Sequence, residues 1–427
     1  MNKLLKISFI LFAVINLSNC ETEKSVGPDF KDYFVKYYGD AGNQQGVDMV
    51  VNDDATIFLL GNTDRNNEQR FFVTKIDTTG KILLKKTFGQ GGSIVESAID
   101  IEPTVDGNYI IAIQRIATPG GDRDTKLLLI SEDLIGLDSI IFDNNVIANS
   151  QGDEAVSSVT PYQINGEIGF LVTGSTTLVS TTGDLTDPFT YKVNQSLSLD
   201  PFWVNNPGNN GTLDQGVKIV PRQAGFLLFL NTNPESNASR TGFHLQPIES
   251  DGDATTEGSV GFARISESGD QEFLQQVVSN PDNGDYLLVG NRVNDGGTQV
   301  YFVAMTNSLG FVPAQHRNAG NQTVALNNLE GSISGVSVAP SKQTGYLLVA
   351  NQELNLGNIM TTNIVLARLR FSGEVVWTTQ FGVDDSYKAA KIEELPNGKI
   401  LIVGTGTLGN QEKMMLLKVN SDGQFLK

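Results

Sequence analysis

The stretch PNGKILIVGTG, Pro396 to Gly406, reads as a tight turn that delivers the chain into a short apolar strand. Asn and Gly in the turn tolerate the positive φ that a two-residue hairpin demands. The same strand recurs as IFLLGNT from Ile57, YIIAIQ from Tyr109, FLVTGST from Phe170, FLLFLNT from Phe226, YLLVGNR from Tyr286 and YLLVANQ from Tyr346. With ILIVGTG from Ile400 there are seven copies, spaced by about 52 to 61 residues. That is close to the period of kelch-type propeller blades. Each copy follows a turn rich in Gly, Asn and Asp, such as TVDGN, QINGE or PDNGD.

Each unit adds further strands around this one. A weaker strand precedes the turn, as in GVDMVV, SAIDIE or KAAKIE, and a third follows a loop of variable length, as in FFVTKID, KLLLIS or MMLLKVN. A second tight turn (DTTG, FSGE, SDGQ) leads to a fourth strand, where LLKKTFG and VWTTQFG sit. Four antiparallel strands repeated radially predict an all-β chain, a seven-bladed β-propeller. The fourth unit is irregular, since GFHLQPIES and GSVGFARIS both resemble its third strand. FVKYYG, Phe34 to Gly39, is a fourth strand without a unit of its own, while the seventh unit ends at SDGQFLK, where its fourth strand should begin. The expectation is that the N-terminal strand completes the last blade and closes the ring, removing a free sheet edge.

The repeat resembles a family of propeller repeats common in secreted and surface proteins of Bacteroidota, with the pattern W-x-x-x-[FY]-G followed by G-x-x-[ILV]-x-x-G-[FY]-[ILV]. WTTQFG at Trp377 to Gly382 with KILIVGTG matches it best, and Leu84 and Phe34 stand where the family often has Trp. The resemblance covers residues 33–427 and implies fold rather than function.

Composition agrees with many short strands: 44 Gly, only 18% charged residues, and Asn, Thr and Ser crowded between apolar runs. The N-terminus differs from the rest. MNKLLK carries two lysines, ISFILFAVI is apolar but too short to span a bilayer, and LSNC follows. Leu17 to Cys20 resembles the lipobox of bacterial lipoproteins, although Asn19 replaces the usual Gly, Ala or Ser. The resemblance implies cleavage before Cys20 and its acylation with palmitate-type chains. Cys20 is the only cysteine, so an intramolecular disulfide or a thiolate metal cage is excluded. The expected organisation is a signal peptide at 1–19, a lipidated tether at 20–32 and the propeller at 33–427. Glu21 and Glu23 loosely resemble the acidic signal that sends Bacteroidota lipoproteins to the cell surface. Loss of the leader brings the net charge from −18 to −20, which disfavours nucleic acid and bare anionic lipid as partners.

Catalytic constellations are sparse. His244 and His316, the only histidines, fall in different units. The inner strands offer Asp48, Asp100, Ser157, Lys218, Gln276, Ser337 and Lys391 to a central channel. Asp48 and Asp100, in neighbouring blades, could converge as the carboxyl pair that glycoside hydrolysis requires, yet a mixed polar set of this kind equally lines a water-filled channel. Oxygen ligands cluster in SDGDATTEG at Ser250 to Gly258 and in VDD at Val383 to Asp385, without EF-hand spacing. No nucleotide fingerprint occurs, and no metal or cofactor is expected. Asp77-Thr78-Thr79 and Asp138-Ser139-Ile140 resemble the short O-glycosylation acceptor of Bacteroidota. The expected function is that of an outer-membrane, surface-exposed lipoprotein. Its propeller would bind or scaffold an outer-membrane or surface protein without catalysis, accessory to transport or assembly. A polysaccharide-acting enzyme using Asp48 and Asp100, or a glycan-binding lectin, is the alternative.

Overall fold

A computed structural model describes residues 32–425, apart from 66–67, 143–149, 179–184, 206–213, 223–224, 233–240, 253–270, 281–283, 295–296, 306–323, 325, 327–328, 356, 358–359 and 383–385. The proposed leader and Cys20 lie outside the described residues, as do His316, GSVGFARIS, Val383 to Asp385 and most of Ser250 to Gly258.

The described residues form strands and no helix. β1 is Phe34–Tyr38. Blade one follows as β2 (Asn43–Val51), β3 (Ile57–Arg65), β4 (Glu68–Ile76) and β5 (Ile82–Phe88). Blade two is β6 (Val95–Pro103), β7 (Tyr109–Ile116), β8 (Arg123–Ile130) and β9 (Gly136–Phe142). Blade three is β10 (Ser150–Ile164), β11 (Glu167–Leu178), β12 (Leu185–Asn194) and β13 (Leu199–Asn205). Three strands are described in blade four, β14 (Asp214–Pro221), β15 (Phe226–Thr232) and β16 (Gly242–Ile248), and three in blade five, β17 (Gln271–Ser279), β18 (Tyr286–Asn294) and β19 (Gly297–Met305). Blade six is β20 (Ser332–Pro340), β21 (Tyr346–Asn355), β22 (Met360–Leu369) and β23 (Val375–Phe381). Blade seven is β24 (Tyr387–Glu394), β25 (Ile400–Leu408) and β26 (Gln411–Val419), and β1 supplies its outer strand in the order β1-β26-β25-β24. The expected closure holds: β1 pairs antiparallel with β26 from Phe34↔Lys418 to Tyr38↔Met414. In the irregular fourth unit, the third strand is GFHLQPI.

Seven apolar clusters sit one in each interface between adjacent blades. This explains why the second strand of each unit is an unbroken apolar run. Side chains alternate along it, and both faces are covered by neighbouring blades. In blade one, Phe58 and Leu60 enter the interface with blade two, whereas Ile57 and Leu59 enter the interface with blade seven. The aromatic that often starts the run reaches back onto the preceding blade, as Tyr109 does when it stacks 4.1 Å from Phe58.

The fourth-strand aromatics have a related task. Gly423, in the second tight turn of blade seven, has φ +72°, and an added Cβ there would lie 2.7 Å from the Trp377 ring of blade six. Gly80 repeats the arrangement one blade on: with φ +76°, its backbone lies against Phe34, Lys36 and Tyr38 of β1. Phe34 therefore occupies the place that Trp377 occupies in blade six.

Candidate functional site

The innermost strand of every blade carries a β-bulge, which skips Val47, Ile99, Ser157, Val217, Gln275, Val336 and Ala390 in turn. A bulge bends its strand and leaves backbone groups without ladder partners. Polar side chains satisfy these groups from the blade before. Asn62 receives a hydrogen bond from Ala98 N–H (2.8 Å) and donates to Ala98 C=O (3.1 Å). Asn231 does the same to Leu274 (2.7 and 2.9 Å), and Asn351 to Ala389 (2.8 and 3.2 Å). Gln114, Asn291 and Thr405 accept the corresponding N–H of Val156, Gly335 and Gly46. Each contacted residue is the one just before the next blade's bulge. The signal was in plain view, because the six side chains share the sixth place of the repeated strand, as in IFLLGN and YLLVAN.

A second ring follows, whose members line the channel except for the fully buried Ser337. Asp48 Oδ2 accepts Ile101 N–H (3.3 Å), Asp100 Oδ2 accepts Val159 N–H (2.9 Å), Gln276 Oε1 accepts Val338 N–H (3.0 Å) and Ser337 Oγ accepts Ile392 N–H (3.2 Å). These residues follow the bulges directly, as do Lys218 and Lys391. The inner-strand set read from the sequence thus comes together, with one offset. In blade three the matching position is Ser158, while Ser157 is the bulge residue itself, although both line the cavity. The cavity has a volume of about 560 Å³.

Asp48 and Asp100 do converge. Their carboxyls are hydrogen-bonded to each other. Asp48 Oδ1 also takes Met49 N–H (2.8 Å) and the Lys391 ammonium (3.1 Å). Lys218 Nζ lies 3.3 Å from Asp100 Oδ2 and 2.8 Å from Glu102 Oε1, and donates to Val159 C=O. A retaining glycosidase holds its carboxyls roughly 5 Å apart and an inverting one about 6.5–9.5 Å apart. Asp48 and Asp100 contact each other directly instead of standing at either spacing.

Burial raises Asp48 to about 7, against the pull of Lys391 and with the help of Asp100. Burial also acts to raise Asp100, but Lys218, the bond from Asp48, Lys391 and Val159 N–H outweigh it and hold Asp100 below the usual range. The pair therefore keeps a proton near neutrality and titrates as a unit. Burial acts to lower Lys218 and Lys391, yet the surrounding carboxylates hold both above the ordinary lysine value. Glu393, also in the channel, is raised by burial.

A pH dependence follows. Asp48 keeps in the folded chain a proton that the unfolded chain releases, so its contribution to stability falls as pH rises from about 4 to about 7 and is flat above. Asp100 acts in the opposite sense and loses its contribution on acidification below about 4. Asp48→Asn is expected to flatten the upper window, shrinking the stability difference between pH 5 and pH 8 by on the order of 2 kcal/mol. Urea titrations at the two pH values measure it, and an unchanged difference would show that the proton is not held there.

The remaining candidates lie apart from the channel. His244 is half-buried on β16 and kept below its usual pKa by burial. Asp77-Thr78-Thr79 forms a tight turn in which Asp77 Oδ1 accepts Thr79 N–H and Lys81 N–H, and Asp138 to Ile140 lies on the exposed β9. Among the described residues no cluster of three or more His, Cys, Asp or Glu is arranged to hold a metal ion.

The site and ring define the class as a seven-bladed β-propeller. No protein-family model and no curated protein sequence matches the chain. Solved structures of similar shape include puromycin hydrolase (11% identity, TM-score 0.50, covering 89% of this chain and 52% of that one). They also include the Penicillium chrysogenum alpha-L-arabinanase bound to arabinobiose (11%, 0.48, 75% and 92%) and polysaccharide lyase Uly1 (11%, 0.47, 90% and 92%). At such identities the likeness is one of fold.

Proposed function

We propose that the chain is a lipoprotein anchored through Cys20 at the outer membrane, whose propeller binds or scaffolds a surface or outer-membrane protein without chemistry of its own. The observation carrying this reading is the state of Asp48 and Asp100. Their lone pairs are taken by each other, by two ammoniums, by Met49 N–H on the same strand and by the N–H groups of Ile101 and Val159 in the next blades. Carboxyls committed in this way hold blades together. Recognition then falls to the polar loops that differ from unit to unit, such as ATPGGD at 117–122. A second reading, a polyhydroxylated ligand in the channel, is favoured by the accessible polar side chains that line the cavity, among them Ser157, Gln275 and Glu393.

Capture of partners from gently solubilised membranes, using the tagged protein and its Asp48→Asn/Asp100→Asn double variant, tests the proposal. The expected result is the same partner in both captures. Polysaccharide cleavage by the parent protein that vanishes in the double variant would overturn it.

A further inference from the structure

The charge of this chain is segregated. Residues 93–385, blades two to six with their connections, hold 13 Lys and Arg against 33 Asp and Glu. Residues 31–92 with 386–427, blades one and seven, hold 14 against 12. The chain enters the ring at that same near-neutral sector, through Asp32, Tyr33 and β1.

There the lysines gather around two aromatic rings. Lys36 and Lys418 lie 4.8 and 5.6 Å from the centre of the Phe34 ring, and Lys399 lies 5.4 Å from that of Tyr33. Lys36 Nζ is held on Thr79 C=O (2.6 Å) and Lys418 Nζ on Thr78 C=O, neutral acceptors that leave their charge in place. The acids nearby are few: Asp32 pairs with Lys399 (3.0 Å), and Asp77 is engaged by its own turn. Burial first, and then the neighbouring Lys399 ammonium, bring Lys418 down to about 8. Lys399 is thus balanced by Asp32, while Lys36 and Lys418 are crowded beside it on carbonyl acceptors alone. Beyond the turn, Lys81 leads into Ile82, Leu83 and Leu84 on the outer strand β5, exposed by 46%, 44% and 39%. Blade one's outer edge thus adds exposed aliphatic side chains beside the cations.

We infer that this sector, centred on Phe34, Lys36, Lys81 and Lys399, is the face the propeller lays against an anionic lipid surface. The choice of a lipid surface as occupant rests on the anchor reading of Cys20. Eleven residues lie between Cys20 and Asp32, at most about 40 Å of chain, so an acylated cysteine would hold this sector against the bilayer. Aromatic rings, cations and aliphatic side chains together match a headgroup region. Net charge alone argues against anionic lipid, but the acidic blades face other directions around the ring. Beyond a Debye length of roughly 10 Å their repulsion is screened.

The described strands and all seven blade interfaces lie within residues 34–419, so a chain beginning at Glu21 retains the ring without the cysteine. Flotation of that chain with vesicles tests the face directly. It should be captured by phosphatidylethanolamine vesicles containing phosphatidylglycerol, left behind by vesicles of phosphatidylcholine alone, and released by high salt. Lys36→Gln, Lys81→Gln and Lys399→Gln should each weaken capture about five-fold, with thermal melts confirming an intact fold. Lys342→Gln/Arg370→Gln on blade six should leave capture unchanged. Equal capture by both vesicle types, or capture indifferent to the three substitutions, overturns the inference. The mass of the N-terminal peptide from membrane-extracted full-length protein tests the anchor separately. An acylated Cys20 with no anionic preference removes the face and leaves the anchor, whereas an unmodified Cys20 with selective vesicle capture removes the anchor and leaves the face.

Discussion

Deleting Phe34 to Gly39 is expected to cost on the order of 5–10 kcal/mol, enough to consume most of the stability of an ordinary domain. The strand contributes Tyr38, which is 4% exposed and sits in the cluster between blades seven and one. Phe34 packs against that same cluster, while Val35 and Tyr37 pack against the cluster between blades six and seven. Its loss would also expose the edge of β26, whose Met414, Leu416 and Leu417 are fully buried. An ordinary terminal strand would cost far less, because only one sheet would suffer. Here two blade interfaces are opened at once, and the ring can splay. Should the deletion fail to yield protein, two point variants carry the same information. Tyr38→Ala removes a buried ring and its hydrogen bond to Gly80 C=O (2.9 Å), worth about 3–5 kcal/mol. Gly80→Ala forces a Cβ to within 2.8 Å of Phe34, Lys36 and Tyr38 on a backbone at φ +76°. Equilibrium urea unfolding measures both, and wild-type midpoints would refute closure by β1.

The ring was legible in the sequence because its causes are local and repeated. A hairpin turn with Gly or Asn, followed by a run apolar on both faces, leaves a mark in each unit, and seven such marks count the blades. The orphan strand at Phe34 was legible for the same reason. The bulges were not, since an inserted residue changes no composition, and ignoring one placed Ser157 where Ser158 stands. The channel carboxyls were legible as neighbours but not as partners. Whether two aspartates in adjacent blades lie at hydrogen-bonding distance or across a substrate depends on how each bulge turns its strand. The blade-to-blade clasps were visible as Asn62, Asn231, Asn291 and Asn351 at one repeated place. Read along one strand, such a residue looks like the polar end of an apolar run, and only the neighbouring blade reveals its partner.

Those clasps support the other large expected effect. Asn351→Leu should destabilise the protein by about 2–4 kcal/mol, because it leaves both the N–H and the C=O of Ala389 without a partner. Both bonds are buried between blades six and seven. Leu has the branching and the number of side-chain heavy atoms of Asn, so it opens no cavity and the loss reports on the polar groups. Thr405→Val is the graded comparison: Thr405 Oγ1 takes one bond, from Gly46 N–H at 3.1 Å, and its loss should cost only about 1 kcal/mol. Asn351→Asp separates the two halves of the clasp. It retains an acceptor for Ala389 N–H but turns a carboxylate oxygen toward Ala389 C=O, so its cost should exceed that of Asn351→Leu at pH 8 and shrink as the carboxyl protonates on acidification. Urea midpoints for the three variants, each at pH 5 and pH 8, order the effects. If Asn351→Leu proves no more costly than Thr405→Val, the blades are held by their apolar clusters alone, and the repeated asparagine has some purpose other than joining one blade to the next.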